Sequence, residues 1–214
     1  MKITGAIFDM DGTLLDSMDY WAIAPSEFLK QNGIVPPPDA GRFFLEKGIT
    51  SAHKLWSEEY GLTLSLEETR EQIYAITQKG YESNVRVKTG AKELLERLKR
   101  DGVKMCLATA TDRDVVEAVL KRLGIDSYFS RIFTSTEVGK GKAFPLIYET
   151  ALDYLGTDKE TTYIFEDAHY AIVTAKSAGF KVVGIYDRNV YVSKDEIKAL
   201  CDVYLDEDDK YNLP

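Results

Sequence analysis

The chain has 214 residues, of which 44% are hydrophobic and 29% are charged, and it carries a formal net charge of −8. This composition is ordinary for a soluble globular protein, and the length fits one large domain or a core with a small second domain. Surfaces that bind nucleic acid are normally basic, so the acidic balance argues against nucleic acid as a partner. No apolar run approaches the length of a membrane span, and we therefore expect no association with a membrane.

The N-terminus and the cysteines bear on the cellular compartment. The opening apolar run ends at Asp9, which leaves no room for a signal peptide. Cys106 and Cys201 are far apart and do not have a metal-binding spacing. Cys106 lies in an apolar run and is expected to be a small core residue. These features predict a cytoplasmic protein, because cysteines stay reduced in that compartment.

The N-terminal part of the chain combines one strand with a helical stretch. Residues 3–8 form an apolar run bounded by a glycine turn, which predicts the first strand. Over residues 16–84 apolar side chains recur at helical spacing, with no clear strand. One short helix is expected to end at Gly48 and another to follow it, and Ser65 with Glu68 forms a capping box that predicts a further helix start. We therefore predict an insertion of three or four helices.

Strand and helix patterns alternate after residue 87. The predicted strands cover residues 103–108, 131–134, 161–165, 181–186 and 203–205. The predicted helices cover residues 90–100, 112–123, 145–155 and 168–178, and a second capping box, Ser193 with Glu196, predicts one more. This alternation predicts an α/β fold with a doubly wound, mostly parallel sheet and helices on both faces. The acidic run at residues 206–209 is expected to be solvated.

The place of the helical insertion predicts the domain organisation. It follows the loop after the first strand, so residues 1–16 and 85–214 would form the α/β core, and residues 17–84 a helical cap domain. Ligands of open α/β sheets bind outside the carboxyl ends of the strands. We expect the cap to lie over those ends.

The segment that follows the first strand contains two acids, a glycine and a threonine. Asp9 and Asp11 are two residues apart, so in an extended chain both carboxylates point the same way. Two such charges are costly together unless a cation lies between them or one is protonated. Gly12 lets the backbone turn sharply and approach a ligand, and the Thr13 hydroxyl can anchor that turn. A plain surface turn uses the same residue types and remains an alternative at this point.

Two further predicted strands end in polar residues. Thr109 stands where a hydroxyl and the N–H groups of the next helix could bind a phosphate oxygen, although a helix cap uses the same residue type. Glu166 and Asp167 are adjacent acids at a strand end, which is unfavourable unless a cation is nearby. Mg²⁺ prefers carboxylates, waters and phosphate oxygens as ligands. A surface acid pair is the alternative.

Taken together, four segments resemble the motifs of the haloacid dehalogenase superfamily. Phe8–Leu14 is similar to the first motif, and Thr109 stands at the Ser/Thr position of the second, followed by Ala110 where relatives often have another polar residue. Lys142 lies in Gly-Lys-Ala-Phe-Pro, which resembles the Gly-Lys-Pro-x-Pro of many relatives, with Lys140 as a possible substitute. Phe165–Ala168 resembles the fourth motif in its Glu-Asp form. The helical insertion is similar to the cap of the β-phosphoglucomutase and phosphoglycolate phosphatase branch.

The resemblance implies an Mg²⁺-dependent phosphatase that hydrolyses a small phosphate monoester, such as a sugar phosphate, through an aspartyl-phosphate intermediate. It implies that Asp9 is the nucleophile and that Asp11 is the general acid and base. Lys142 and Thr109 would stabilise charge on the phosphoryl oxygens, where most catalysis of phosphoryl transfer lies.

The resemblance also implies the metal ligands and the substrate contacts. The metal would be held by Asp9, the main-chain carbonyl of Asp11 and Asp167, with Glu166 binding directly or orienting a metal-bound water. The implied substrate-binding positions are Gly12, Trp21, Lys47, Thr109, Ala110 and Lys142. Lys47 and the glycine after it resemble a loop segment that reaches the active site in the mutase branch, although exposure is the default for such a lysine.

Two other functions remain open. The first is a phosphosugar mutase of the β-phosphoglucomutase type, which usually has a histidine at the position of Trp21 and tends to lack a threonine at the position of Thr13. Both differences favour the phosphatase. The second is a catalytically inactive interaction protein, against which the intact acidic and lysine positions count. The expected partner is a small phosphorylated metabolite, and the protein is expected to be a monomer or a weak homodimer.

Overall fold

The computed structural model describes residues 2–214, which divide into two compact units. One unit, the core, consists of the described residues up to Asp16 together with Arg86–Pro214. The other, the helical insertion, is Ser17–Val85. The division therefore falls one residue later than the predicted second boundary. Val85 is fully buried. No helix in the described part of the chain has the length and apolar character needed to cross a membrane.

The helical insertion contains three helices: α1 (Met18–Gln31), α2 (Ala40–Glu59) and α3 (Leu66–Ser83). At Gly48, φ is 76° and ψ is 170°, so α2 is kinked into the two segments that the sequence predicts. The capping box at the start of α3 is confirmed, because the Ser65 hydroxyl accepts from the Glu68 N–H and the Glu68 carboxylate accepts from the Ser65 N–H. The three helices enclose an apolar core of their own that includes Phe28, Trp56 and Ile73.

The core unit is built on a six-stranded sheet in the order β3-β2-β1-β4-β5-β6. Its strands are β1 (Gly5–Phe8), β2 (Lys104–Thr109), β3 (Ile132–Thr134), β4 (Thr162–Glu166), β5 (Lys181–Ile185) and β6 (Val203–Leu205). Every neighbouring pair is parallel, which confirms the predicted α/β fold. Parallel strands need crossover connections, and helices supply them.

Helices of the core unit cover both faces of the sheet. They are α4 (Ala91–Arg100), α5 (Arg113–Leu123), α6 (Ser135–Val138), α7 (Leu146–Leu155), α8 (His169–Ser177) and α9 (Lys194–Leu200). Residues from α7, α8 and α9 share one apolar cluster with Ile7 of β1. Side chains alternate along a strand, so the buried Ala6 and Phe8 face the opposite side of the sheet.

Some local features differ from the sequence prediction. The short helix α6 was not predicted, although Thr134 and Glu137 stand three residues apart and the Thr134 hydroxyl accepts from the Glu137 N–H. The acidic run is exposed at Glu207–Asp209, as expected, but the chain after it returns to the core and buries Tyr211. Both cysteines are free, and the prediction that Cys106 is a core residue is confirmed. Burial raises the pKa of the Cys106 thiol to about 12.

Candidate active site

The sheet topology brings the ends of β1 and β4 together. The strand order reverses between these two strands, and such a switch point opens a crevice at the carboxyl edge of the sheet. Phe8 pairs with Phe165 on one side and with Leu107 on the other. Asp9 directly follows Phe8, the last residue of β1, and therefore lies beside Glu166. The polar residues at the end of β2 lie at the same edge of the sheet.

Three buried carboxylates meet at this edge. Oxygen atoms of Asp9, Glu166 and Asp167 all lie within 4.8 Å of one another, and each residue is at most 8% exposed. Burial, followed by repulsion from Glu166, raises the pKa of Asp9 and that of Asp167 well above the usual value for an aspartate. The donor set is oxygen only and anionic, which fits a hard divalent cation such as Mg²⁺.

Lys142 places a positive charge within this acidic cluster. Its ammonium contacts a carboxylate oxygen of Asp9 and lies 2.9 Å from Glu166 Oε2, and the side chain is only 3% exposed. Burial by itself lowers the pKa of this lysine, but the carboxylates of Asp9 and Glu166 raise it above its ordinary value. Lys142 is therefore charged at neutral pH. The alternative candidate, Lys140, is exposed and lies over the Phe144 ring.

Glu166 is surrounded by donors from the protein itself. Its Oε2 accepts hydrogen bonds from Lys142 and from the Tyr148 hydroxyl, at 2.9 and 3.1 Å, and its Oε1 accepts from the Ala168 N–H at 3.2 Å. Burial, followed by the Glu166 charge, raises the pKa of the Tyr148 phenol well above its ordinary value, so it remains a donor. Tyr148 lies in α7 among core residues and carries no motif signal, so its role was not predicted from the sequence.

Asp11 has a different set of contacts from Asp9. The hydroxyl of Thr111 donates to Asp11 Oδ2 at 2.7 Å, and the Thr111 N–H donates to the Thr109 hydroxyl at 3.1 Å. The Asp11 carboxylate is therefore held by the segment that follows β2, while the Asp9 carboxylate contacts Lys142. Thr111 is buried, and its role was also not predicted from the sequence, although a second threonine two residues after Thr109 was an available signal.

Gly12 and Thr13 join the loop after β1 to Asp167. Gly12 has a φ of 76°, and a Cβ atom at this position would overlap the Asp167 carboxylate, so only glycine fits. The Thr13 hydroxyl donates to Asp167 Oδ1 at 2.8 Å. The Thr13 hydroxyl thus anchors the turn, as predicted, and its partner is the residue that follows β4.

The remaining predicted positions lie outside this cluster of contacts. Ala110 is exposed after β2 and brings no polar side chain. Trp21 and Lys47 belong to the helical insertion. The Trp21 indole N–H donates to the Tyr81 hydroxyl at 2.7 Å, and its ring packs near Phe44. Lys47 is exposed beside the kink in α2.

Comparisons with known proteins identify the family. Residues 6–185 match the family model of haloacid dehalogenase-like hydrolases. A phosphorylated carbohydrates phosphatase from Thermotoga maritima is 27% identical over 175 residues, which are 82% of this chain and 81% of the relative. A probable pseudouridine-5′-phosphatase from Drosophila melanogaster is 30% identical over 194 residues, 87% of this chain and 83% of the relative.

A solved structure shares the fold. CbbY from Rhodobacter sphaeroides, in complex with phosphate, aligns with a TM-score of 0.81 and 22% identity, covering 95% of this chain and 93% of the other. The predicted resemblance is thereby confirmed. This chain belongs to the haloacid dehalogenase-like hydrolase family and is an enzyme that acts on phosphate esters.

Proposed function

We propose that this enzyme is an Mg²⁺-dependent phosphatase that hydrolyses a small phosphate monoester, a sugar phosphate or a similar metabolite, through an aspartyl phosphate on Asp9. The observation that carries the proposal is the buried cluster of Asp9, Glu166 and Asp167 with Lys142 at the switch point of the sheet. The Thermotoga relative is named for phosphorylated carbohydrates and supports a substrate of that class.

In this proposal Asp9 and Asp167 hold the metal, together with the main-chain carbonyl of Asp11. Glu166 already accepts hydrogen bonds on both oxygens, so it would orient the site through Lys142 and Tyr148 and not bind the ion directly. When bound, Mg²⁺ would neutralise the clustered carboxylates and the substrate phosphate.

Asp9 is the proposed nucleophile. Its carboxylate would attack phosphorus in line with the leaving oxygen and form the aspartyl phosphate as the phosphorus–oxygen bond of the ester breaks. Lys142 contacts this carboxylate and would offset the negative charge of the phosphoryl oxygens. The Thr109 hydroxyl and the N–H groups that follow β2 would complete the phosphate site.

Asp11 is the proposed general acid and base. It would give its proton to the leaving oxygen, and would then take a proton from the water that hydrolyses the aspartyl phosphate. The Thr111 hydroxyl binds Asp11 Oδ2 and would keep the carboxyl group in one orientation through both steps. A fixed orientation matters because proton transfer requires hydrogen-bond distance to the reacting atom.

The helical insertion is proposed to act as a cap that selects the leaving group, with Trp21 and Lys47 as contacts. The indole N–H of Trp21 is a donor only and cannot serve as a base for a sugar hydroxyl. In this structure the indole N–H donates a hydrogen bond to the Tyr81 hydroxyl. This supports water as the final acceptor and thus a phosphatase in preference to a mutase. The cytoplasmic location and the monomeric or weakly dimeric state stay predictions.

A screen of phosphate release tests the proposal. The panel would contain hexose and hexitol phosphates, phosphoglycolate, nucleoside 5′-monophosphates and pseudouridine 5′-phosphate, each with Mg²⁺ and with a chelator. We expect release from at least one sugar-type ester that stops on chelation and is absent for Asp9→Asn. Turnover that survives full chelation would refute the metal dependence. Near-native activity of Asp9→Asn would refute the aspartyl-phosphate intermediate.

A parallel assay separates the phosphatase from the mutase. β-Glucose 1-phosphate is supplied with a trace of the 1,6-bisphosphate, and glucose 6-phosphate and free phosphate are both measured. Free phosphate without glucose 6-phosphate is the expected result. Fast formation of glucose 6-phosphate with little phosphate release would overturn the phosphatase in favour of the mutase.

A further inference from the structure

Two successive carbonyl groups of the loop after β1 are held by side chains from distant parts of the core. The Gly12 carbonyl accepts from the Lys88 ammonium, and the Thr13 carbonyl accepts from the Tyr211 hydroxyl. Neither side chain belongs to a motif identified in the sequence. Both carbonyls lie in the loop that carries Asp9 and Asp11, so these contacts act on the backbone of the catalytic segment.

Lys88 occupies an oxygen cage at the end of β5. Besides Gly12, its ammonium binds the Tyr186 carbonyl and the Asp187 carboxylate, both at 2.8 Å. The Lys88 side chain is 14% exposed and the Asp187 side chain 2% exposed. Asp187 is itself oriented, because its Oδ1 accepts from the Asn189 N–H at 2.8 Å. The positive charge of Lys88 is therefore anchored on one side and bound to the loop on the other.

Tyr211 is anchored in a similar way. It is 6% exposed, and the Arg97 guanidinium donates to its carbonyl at 2.6 Å and to Asn212 Oδ1 at 3.0 Å. The preceding residue, Lys210, lies so close to Gly90 that a Cβ atom there would overlap the Lys210 carbonyl. The segment after the acidic run thus packs on the start of α4 and directs one hydroxyl at the loop.

The held loop has little freedom on its other side. The Gly12 backbone lies against the Asp167 carboxylate, and the Thr13 hydroxyl donates to it. A shift of the Gly12 or Thr13 carbonyl would therefore move the main chain at Asp11 relative to Asp167. Shifts of about 1 Å at a catalytic group reduce rates strongly, because reacting atoms must meet in one geometry.

We propose that Lys88 and Tyr211 are positioning residues, which hold the loop after β1 in the geometry that metal binding and phosphoryl transfer require. Lys88 acts as a tethered cation between the Gly12 carbonyl and Asp187, and Tyr211 acts as a neutral second anchor. This inference rests on the proposed phosphatase function.

Tyr211→Phe is the sharper test, because it keeps the ring and removes only the hydroxyl. We expect kcat to fall about three- to tenfold, the loss of one hydrogen bond, with little change in KM and with the protein still fully folded at the assay temperature. Mg²⁺ affinity, measured by calorimetry without substrate, should weaken by a similar factor. Tyr154→Phe is the matched control, because the Tyr154 hydroxyl also donates to a carbonyl, that of Ser130, but away from the loop.

Lys88→Ala tests the tethered cation by chemical rescue. We expect kcat to fall about tenfold or more, and propylammonium to restore part of it where tetramethylammonium does not, since only propylammonium can donate from the vacated cage. Lys159→Ala is the control, because Lys159 also donates to a carbonyl, that of Ala178. If Lys88→Ala does not fold, Tyr211→Phe decides the question alone.

The outcomes separate the two proposals. A wild-type enzyme without phosphatase activity on any ester would refute the proposed function itself. An active wild-type enzyme whose kcat and Mg²⁺ affinity are both unchanged by Tyr211→Phe would refute only the positioning role. A loss of kcat in Tyr211→Phe that is fully explained by the fraction of unfolded protein at the assay temperature would also refute it, because the residue would then be structural.

Discussion

Replacing Asp167 by asparagine should stabilise the metal-free protein at the expense of metal binding. Asp167 is buried beside Glu166 and Asp187, and its pKa is raised well above the ordinary value by burial first and then by these two charges. A carboxyl group whose pKa is higher in the folded than in the unfolded state destabilises the fold once both states are ionised. Asparagine removes that charge, and its carbonyl can still accept from Thr13.

The magnitude follows from the separation of the charges. The carboxylate oxygens of Asp167 and Glu166 lie within 4.8 Å, and at an effective dielectric constant of about 20 two such charges repel by about 3.5 kcal/mol. Lys88 attracts Asp167 and offsets part of this cost. We therefore expect Asp167→Asn to raise the free energy of unfolding by about 1–3 kcal/mol, or roughly 3–9 °C in Tm.

The pH dependence has a definite sign. The destabilising charge is present above the raised folded-state pKa of Asp167 and is lost as pH falls through it, because the folded protein then takes up a proton. The advantage of Asp167→Asn should thus be largest at pH values above the raised folded-state pKa and should shrink on acidification through it. Added Mg²⁺ should raise the free energy of unfolding of the wild-type protein by about 2.7 kcal/mol at a hundredfold excess over Kd, and hence raise its Tm. It should not stabilise the variant.

Differential scanning calorimetry in chelator and in Mg²⁺, at several pH values, measures these effects. Asp202→Asn is a control of opposite sign. Burial raises the pKa of Asp202, but hydrogen bonds from Lys176 and the Val182 N–H lower it overall, so neutralising Asp202 should destabilise the protein at pH values above its unfolded-state pKa. An Asp167→Asn protein that is less stable than wild type in chelator, and that Mg²⁺ still stabilises, would contradict the assignment of this cluster as a metal site.

Three further predictions concern the chemical steps. Asp9→Asn should abolish phosphate release and leave the fold intact, because an amide cannot attack phosphorus; retained circular dichroism with no single-turnover burst is the expected measurement. Thr111→Val should lower kcat by about tenfold or more, since the part-buried hydrogen bond to Asp11 is lost, and it should change the pH–rate profile. Gly12→Ala should abolish Mg²⁺ binding in calorimetry, because the added Cβ overlaps the Asp167 carboxylate.

Controls make each of these results interpretable. For Asp9→Asn, an inactive preparation must still bind phosphate analogues, and activity from contamination is excluded by repeating the purification. For Thr111→Val, restored activity in Thr111→Ser would support the hydroxyl, whereas a fully active valine variant would contradict its role. For Gly12→Ala, Gly102→Ala is the matched control, because Gly102 also has a positive φ but no atom lies within 4 Å of its added Cβ.

The elements of the fold could largely be predicted from the sequence. All six strands of the sheet were predicted within two residues of their observed ends, because a strand buried on both faces is a short apolar run between turn signals. The capping box at Ser65 and a helix end at Gly48, where the structure has the kink in α2, were predicted for similarly local reasons. The four-residue helix α6 was missed, because one turn of helix has no apolar period to detect.

The candidate site could be predicted only in part. Asp9, Thr109, Glu166 and Asp167 stand at strand ends, and parallel strands deliver their ends to one edge, so local sequence was enough to group them. The resemblance of Gly-Lys-Ala-Phe-Pro to Gly-Lys-Pro-x-Pro favoured Lys142, but the sequence left Lys140 as a substitute, since both lysines follow a glycine. The fold buries Lys142 between Asp9 and Glu166 and leaves Lys140 exposed.

The sequence by itself determined the strands, the helical insertion and the acidic residues of the site, because each depends on periodicity or on position after a strand. Only the tertiary structure decided which groups hold those acids and their loop. The Glu166–Tyr148 contact spans 18 positions, the Asp11–Thr111 contact 100, the Gly12–Lys88 contact 76 and the Thr13–Tyr211 contact 198. A local pattern carries no record of such pairings, since the partners become neighbours only when the sheet and its helices have packed.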